Sequence, residues 1–185
     1  MATEALKSTS ITNLDAQPIV ANTAGEGGNG RMEVANDNVN STSGMLTGST
    51  YRVARIPTNA KVKRVLLNTA AHGGSAAFDV DVAHSDSTTD GTPASLQGTI
   101  PQISSADNKL FGAAVAVSSA QTQKDITFQN TFTPGHQNLP LWQVLVNLGV
   151  TTFSADPGGF FDILLKSTAT DTSGGMLAVE VDYVM

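Results

Sequence analysis

The sequence contains no cysteine. Disulfides, cysteine nucleophiles and cysteine-ligated zinc sites are therefore excluded as features of this chain. Charged residues are also scarce, at 14% of 185 residues, and Phe, Trp and Tyr together make up only 5%. A chain of this length can form one domain with a substantial core. Its low charge is untypical of a helical bundle, a coiled coil or a highly charged disordered protein.

The chain also lacks a positive charge balance and long apolar runs. Its net charge is −6 and its sequence pI is about 4.8, whereas affinity for nucleic acid depends on Lys and Arg facing phosphates. No run approaches the roughly 18 apolar residues of a membrane span, and the N-terminus shows no signal-peptide pattern. We therefore expect synthesis in the cytoplasm, with neither nucleic acid nor a membrane as a partner.

Small polar residues and glycine take the place of the missing charges. The sequence has 16 Ser, 22 Thr, 12 Asn and 17 Gly. Thr is well suited to strands, and Ser, Asn and Gly are the residues of turns. This composition favours many short strands joined by turns over long helices.

The aromatic residues divide the chain into two parts. Residues 1–48 contain none of the ten, all of which lie in residues 49–185. The first part has isolated apolar residues, a glycine-rich stretch at 25–30, and no lasting helical or alternating period. Such a segment buries too little apolar surface to offset its ordering entropy. We interpret residues 1–48 as an extended polar N-terminal arm and residues 49–185 as a β-sandwich domain.

The second part predicts a series of short strands. The clearest, 78–82, alternates strictly, which places Asp79 and Asp81 on a solvated face. The other predicted strands are 51–56, 61–67, 161–165 and 177–183, with weaker candidates at 114–117 and 126–128. A turn at 172–175 predicts a hairpin between the last two strands. Residues 139–148 fit either a helix or a buried strand.

The predicted fold class is all-β. These strands indicate an antiparallel β-sandwich or jelly roll with a long extended N-terminal arm and at most one or two short helices.

Motifs for a nucleotide or a metal are incomplete. Residues 25–30 match the G-x-G-x-x-G pattern, but no βαβ unit surrounds them, so we interpret them as a linker. Acidic residues and a histidine crowd the interval from Asp79 to Asp90, with Asp81, His84 and Asp86 between them. Their density leaves a divalent cation open, although the spacing departs from an EF-hand loop, and a solvated strand face with loop residues explains them as well.

Catalytic patterns are equally incomplete. The run His72-Gly73-Gly74 lacks an accompanying nucleophile elbow and is typical of a glycine turn. Asp156 and Asp162 flank aromatic residues, as a glycosidase pair could, but Asp156 begins an Asp-Pro-Gly turn. We therefore predict a protein that is not an enzyme, with no catalytic, cofactor-binding or metal-binding residues and no cofactor.

A family resemblance rests on residues 51–65, which read YRVARIPTNAKVKRV. This stretch combines a strand, an Ile-Pro-x-x-Ala turn and a strand with alternating valines. Together with residues 78–82, 141–142, 156–163 and 174–184, it resembles auxiliary virion structural proteins of tailed bacteriophages, of the capsid decoration or cement type. The resemblance covers residues 49–185 and includes neither the arm nor the long loop at 84–124.

The resemblance implies a β-sandwich or jelly-roll protein on the capsid exterior, made in the host cytoplasm. Its partners would be the major capsid protein or other virion subunits and its own copies in a homo-oligomer such as a trimer. A tail, connector or fibre-base protein and a carbohydrate-binding β-sandwich stay open as alternatives.

The arm suits docking on neighbouring subunits by strand addition or by single apolar anchors. Many weak contacts linked in this way would act together. The predicted anchors are Ile11, Leu14, Ile19, Val20, Met32 and Val34.

Overall fold

The computed structural model describes residues 5–18, 32–85 and 109–185. Within these ranges the chain forms an all-β sandwich, as predicted. In chain order, the elements are β1 (Ala5–Lys7), α1 (Thr9–Asp15), β2 (Met32–Ser41), β3 (Thr50–Pro57), β4 (Lys61–Thr69), β5 (Ala77–His84), β6 (Gly112–Ala116), β7 (Gln121–Asp125), a 3₁₀ helix (Pro134–Asn138), α2 (Leu141–Asn147), β8 (Phe160–Ser167) and β9 (Gly175–Val184).

The strands form two sheets. Sheet 1 has the order β1-β3-β8-β5-β6, and sheet 2 has the order β2-β9-β4-β7. Strand β1 runs parallel to β3, whereas the other neighbouring strands are antiparallel. From β2 to β5, and again from β6 to β9, each successive strand lies in the opposite sheet.

The core lies between the two sheets and is built from alternate strand residues. In β9, the predicted inward residues Leu177, Val179 and Val181 are fully buried. They face the inward residues of sheet 1, among them Tyr51 and Phe78, whose rings meet edge to face at 6.0 Å. Side chains alternate between the two faces of a β-strand, and the sequence of β9 shows this alternation of apolar and polar residues.

Residues 139–148, which fitted either a helix or a buried strand, contain the helix α2. Pro140 precedes α2, and its carbonyl oxygen accepts hydrogen bonds from the backbone N–H groups of Gln143 and Val144. Leu141, Val144 and Leu145 are the buried residues of the helix. Their spacing of three and four places them on one helical face toward the core.

Two local predictions were wrong. Residues 126–128 are not a strand, because β7 ends at Asp125 and the chain turns there. The turn at 172–175 does not close a hairpin, because β8 belongs to sheet 1 and β9 to sheet 2. Its Thr-Ser-Gly-Gly sequence favours a reversal of the chain but does not determine which sheet the next strand joins.

Strand β2 lies in the range predicted to be an arm. It pairs with β9 in one continuous register, from Met32 opposite Val184 to Ser41 opposite Gly175. The residues that face the core include Glu33 and Asp37, whereas Met32 and Val34 face outward and are exposed. Ala35 and Val39 also face inward, so this face mixes acidic and apolar side chains, and the usual alternation of a half-buried strand was not visible in the sequence.

Residues 5–16 are also folded onto the sandwich. Helix α1 was not predicted, and it contacts β3 and β2 at the side of the molecule where the two strands lie close to each other. Ser8 caps the helix by accepting a hydrogen bond from the backbone N–H of Ile11. In the described ranges, no helix has the length and apolar character needed to cross a membrane.

Candidate interaction surfaces

The sandwich has two chemically different ends. We call one the turn end, which carries the connections at 42–49, 70–76, 117–120 and 168–174. The other, the loop end, carries residues 58–60 and 126–159 together with the start of β2 and the end of β9.

A buried carboxylate organises the turn end. Asp171 has no exposed surface, and its oxygens accept hydrogen bonds from the backbone N–H groups of Gly73, Ser173 and Gly174 at 2.8–2.9 Å. Its Oδ2 atom also lies 2.6 Å from Nδ1 of His72. Burial by itself raises the pKa of Asp171, but the hydrogen bonds from Ser173, His72 and Gly73 outweigh it and lower that pKa below 3.8.

Through these contacts Asp171 connects three turns, at 42–49, 70–76 and 168–174. Its backbone N–H donates to the carbonyl oxygen of Met45, and its own carbonyl accepts from Gly44, both in the connection between β2 and β3. The backbone N–H of His72 donates to the carbonyl of Val117, which begins the connection between β6 and β7. The His-Gly-Gly motif is therefore a hydrogen-bonded turn.

His72 and His136 lie at opposite ends of the sandwich. His72 lies at the turn end, whereas His136 lies in the 3₁₀ helix at the loop end, where it accepts a hydrogen bond from the backbone N–H of Thr133. His84 ends β5 at the loop end, and its side chain is outside the description. Over residues 5–18, 32–85 and 109–185, no group of three or more His, Cys, Asp or Glu side chains is placed to hold a metal ion.

The prediction of a solvated face at Asp79 and Asp81 was wrong. Both side chains are buried on the outer face of sheet 1. Asp81 accepts hydrogen bonds from the backbone N–H groups of Lys109 and Leu110, and Asp79 accepts one from Ala114. These carboxylates fix the chain where it returns to the sheet after residue 108. Asp86, Asp90 and residues 25–30 lie outside the described residues.

The candidate glycosidase pair has structural partners. Asp156 accepts hydrogen bonds from the hydroxyl of Thr58 and from the backbone N–H of Gly158, which is the geometry of the predicted turn. Asp162 is completely buried and pairs with Arg52 and Arg55, each at 2.6 Å. Both carboxylates therefore hold elements of the fold in place.

Exposed apolar side chains concentrate at the loop end. Among the described residues, the large hydrophobic side chains with substantial exposure at this end are Met32 (63%), Val34 (51%), Phe128 (45%), Phe160 (42%) and Met185 (53%). Met176 (40%) is the corresponding residue at the turn end. Met32 and Val34 are neighbours on the outer face of edge strand β2, whereas Phe128 follows β7, the opposite edge strand of sheet 2. The loop end therefore carries more than one exposed apolar site, and such sites are candidates for contact with a partner.

An aromatic stack supports one member of this set. The ring of Phe128 lies nearly parallel to that of buried Phe132, with centroids 6.0 Å apart. Phe132 also contacts Phe111 and His136. The stack thus supports the Phe128 ring at the surface. This exposed position could not be predicted from the sequence, because a single exposed Phe produces no periodic pattern.

The predicted anchors have different surroundings. Ile11 is completely buried within this chain, whereas Met32 and Val34 are exposed on the outer face of β2. Leu14 lies in α1, but its side chain is outside the description, and Ile19 and Val20 lie outside the described residues. Of the six anchors, Met32 and Val34 are therefore the ones that the structure places on its surface.

Lys61, Lys63 and Arg64 form a short basic cluster at the start of β4, and two of them have partners within the chain. Lys63 Nζ donates to the carbonyl oxygen of Gln137 at 2.7 Å. The Arg64 guanidinium pairs with Asp182 at 2.8 Å, although half of the Arg64 side chain is exposed. These contacts connect β4 to the 3₁₀ helix and to its neighbour β9.

Comparisons with known proteins identify similar folds. Neither the known protein families nor the curated proteins contain a match to this sequence. A chain in the capsid of Ralstonia phage GP4 has a similar structure, with a TM-score of 0.58, 13% identity and coverage of 98% of both chains. A chain of the capsid asymmetric unit of cyanophage Pam1 has a TM-score of 0.49 and 14% identity, covering 92% of this chain and 96% of that one. The GP4 capsid chain shares the fold over nearly its full length.

Proposed function

We propose that this protein is a non-enzymatic structural component of a phage virion that decorates or cements the capsid exterior. The observation that carries the proposal is the shared fold with a GP4 capsid chain over 98% of both chains. A match of this extent means that the similarity involves the whole sandwich, together with its N-terminal region, and not one common motif.

The strand order supports the same proposal. Strands β2-β9-β4-β7 face β3-β8-β5-β6, with β1 added at one edge. Eight antiparallel strands that alternate between two sheets in this way constitute a jelly roll, an architecture found in viral capsid domains and also in lectins. Fold alone does not assign function, so the exposed surface has to supply the rest of the argument.

The loop end supplies that surface. Met32, Val34 and Phe128 are exposed there on regular strands or on a supported aromatic stack. The backbone beneath Met32 and Val34 is fixed by strand pairing, and the Phe128 ring is supported by its stack, so binding there requires little ordering of the main chain. We assign the loop end to contact with the major capsid protein or another virion subunit, with the N-terminal arm adding docking contacts on neighbouring subunits.

Copy number on particles tests this function. Full-length chain is added to particles that assembled without it, and bound copies are counted by quantitative mass spectrometry after sedimentation. A decorating or cementing protein binds in the hundreds of copies per particle. Six, twelve or a few dozen copies would instead indicate a tail, connector or fibre-base position, and absence of binding would overturn the virion assignment.

A further inference from the structure

The two lateral sides of the sandwich protect their edge strands differently. On the β6 and β7 side, Ala114 and Gln123 have positive φ angles of 46° and 48°. Their backbone N–H groups donate to the side chains of Asp79 and Asn68, each at 2.7 Å. Irregular residues capped in this way prevent another strand from pairing with an edge.

On the opposite side, a separate segment covers the edge. Residues Ala5–Lys7 pair in a regular parallel register with β3, and the backbone N–H of Ser8 donates to the carbonyl of Arg52 at 2.8 Å. Without β1, β3 would be the edge strand of sheet 1. We call residues 5–16, which comprise β1, Ser8, α1 and Ala16, the N-terminal module.

The surface that receives the module is organised by the sandwich itself. Arg55 directs Nε and Nη2 to the buried Asp162 at 2.6 and 3.0 Å, which leaves Nη1 to contact Asp15 of the module at 2.8 Å. Burial opposes the charge on Arg55, but Asp162, and to a smaller extent Asp15, raise its pKa above the ordinary value. The guanidinium is therefore charged and oriented by Asp162, and an arriving carboxylate completes its set of partners.

Asp15 is matched to this position. Lys7 donates to its second oxygen at 2.8 Å, so the module presents the carboxylate in a fixed orientation. Burial raises the pKa of Asp15, but the hydrogen bonds from Arg55 and Lys7 outweigh it and lower that pKa below 3.8. The docking contacts thus combine strand pairing with a charged pair of defined geometry.

The connecting sequence is long enough to reach another molecule. Residues 17–31 separate the module from β2 and include Gly25, Gly27, Gly28 and Gly30. Fifteen residues span at most about 50 Å when extended, and a domain of this size has a radius of gyration of about 16 Å. The length of the connection therefore permits docking on the β3 of an adjacent copy as well as on the chain's own β3.

We propose that, on the assembled particle, the N-terminal module of one copy docks on β3 of a neighbouring copy of this chain. The inference rests on the proposed virion function, because assembly brings neighbouring β3 edges to a local concentration comparable to that of the chain's own edge. Exchange of an identical element forms the same contacts in either arrangement. In dilute solution the module stays on its own chain, and on the particle it connects copies.

Engineered cysteines distinguish the two arrangements, since the natural chain has none. Ala5 and Thr50 are partners in the parallel register. Full-length Ala5→Cys and Thr50→Cys chains are mixed, bound to particles and treated with an oxidant or a short bis-maleimide. Exchange predicts a cross-linked band at twice 19.1 kDa, and the same mixture in dilute solution gives single chains only.

A chain carrying both cysteines is the matched control. It shows whether the pair can be linked, and its products report the arrangement independently: multimers on particles support exchange, whereas a single chain with an internal link overturns it. Normal binding of the mixed chains with no intermolecular product also overturns the exchange and leaves the virion function intact. Failure of the unmodified chain to bind particles would contradict the virion function itself.

Discussion

The two ends of the sandwich use their side chains for opposite purposes. At the turn end, Asp171 and His72 are buried, and their polar groups bind other parts of the same chain. At the loop end, Met32, Val34 and Phe128 expose apolar surface that the described part of the chain leaves uncovered. The difference indicates that one end fixes the fold, while the other is available for contact with a partner.

The largest effect should come from breaking the turn end. Asp171→Ala removes the acceptor of three backbone N–H groups and leaves the buried His72 ring without its carboxylate partner. We expect a loss of about 3–5 kcal/mol in the free energy of unfolding, as for other buried charged partners. Urea denaturation followed by circular dichroism measures this value.

Asp156→Ala at the loop end is the matched control for that substitution. Asp156 also organises a turn, but it is exposed and accepts hydrogen bonds from Thr58 and Gly158. Its loss should cost only about 0.5–1.5 kcal/mol. Equal destabilisation by the two substitutions would show that the turn end has no special role in stability.

Acid should weaken the same interactions more gradually. The pKa values of Asp171 and Asp15 are held below 3.8 in the folded chain. A carboxyl with a lowered folded pKa contributes stability at pH values above its unfolded pKa, and this contribution is lost as pH falls through the folded value. The urea midpoint should therefore be steady above about pH 5 and decrease below about pH 4.

The acid response can be assigned with a variant. Asp15→Asn removes one of the two carboxyls and leaves the Asp171 interactions in place, so the decrease below pH 4 should become smaller without disappearing. A midpoint that stays constant, or increases, between pH 5 and pH 3 would contradict the proposed role of these two carboxylates.

The strands that could be predicted are those with a regular pattern of burial. Strand β9 places Leu177, Val179 and Val181 in the core, and the sequence records this as strict alternation. Strand β2 could not be recognised in the same way because Glu33 and Asp37 face inward and Met32 and Val34 face outward. At an edge strand, side chains at the margin of the core can reach solvent or polar partners, so the pattern becomes weak.

Contacts between residues that are far apart in the sequence could not be predicted from local sequence patterns. His72 and Asp171 are 99 residues apart, and neither has a neighbouring motif that identifies the other. Asp79 and Asp81 follow the pattern of a solvated face, but backbone donors at 109–114 cover them. At the candidate surface, Met32 and Val34 were among the anchors predicted from the sequence. Phe128, Phe160 and Met185 were not predicted, because the exposure of an isolated apolar residue depends on the complete fold.

Particle binding by a loop-end variant tests the central claim most directly. Met32→Ser combined with Val34→Ser changes two exposed side chains and should alter the free energy of unfolding by no more than about 0.5 kcal/mol per site. Met176→Ser is the matched control, because it changes an exposed methionine at the turn end. We predict that the double variant binds particles at least ~10-fold more weakly, equivalent to about 1.4 kcal/mol, and that Met176→Ser binds like the natural chain. Unchanged binding of the double variant, or an equal loss with Met176→Ser, would contradict the assignment of the loop end as the contact surface.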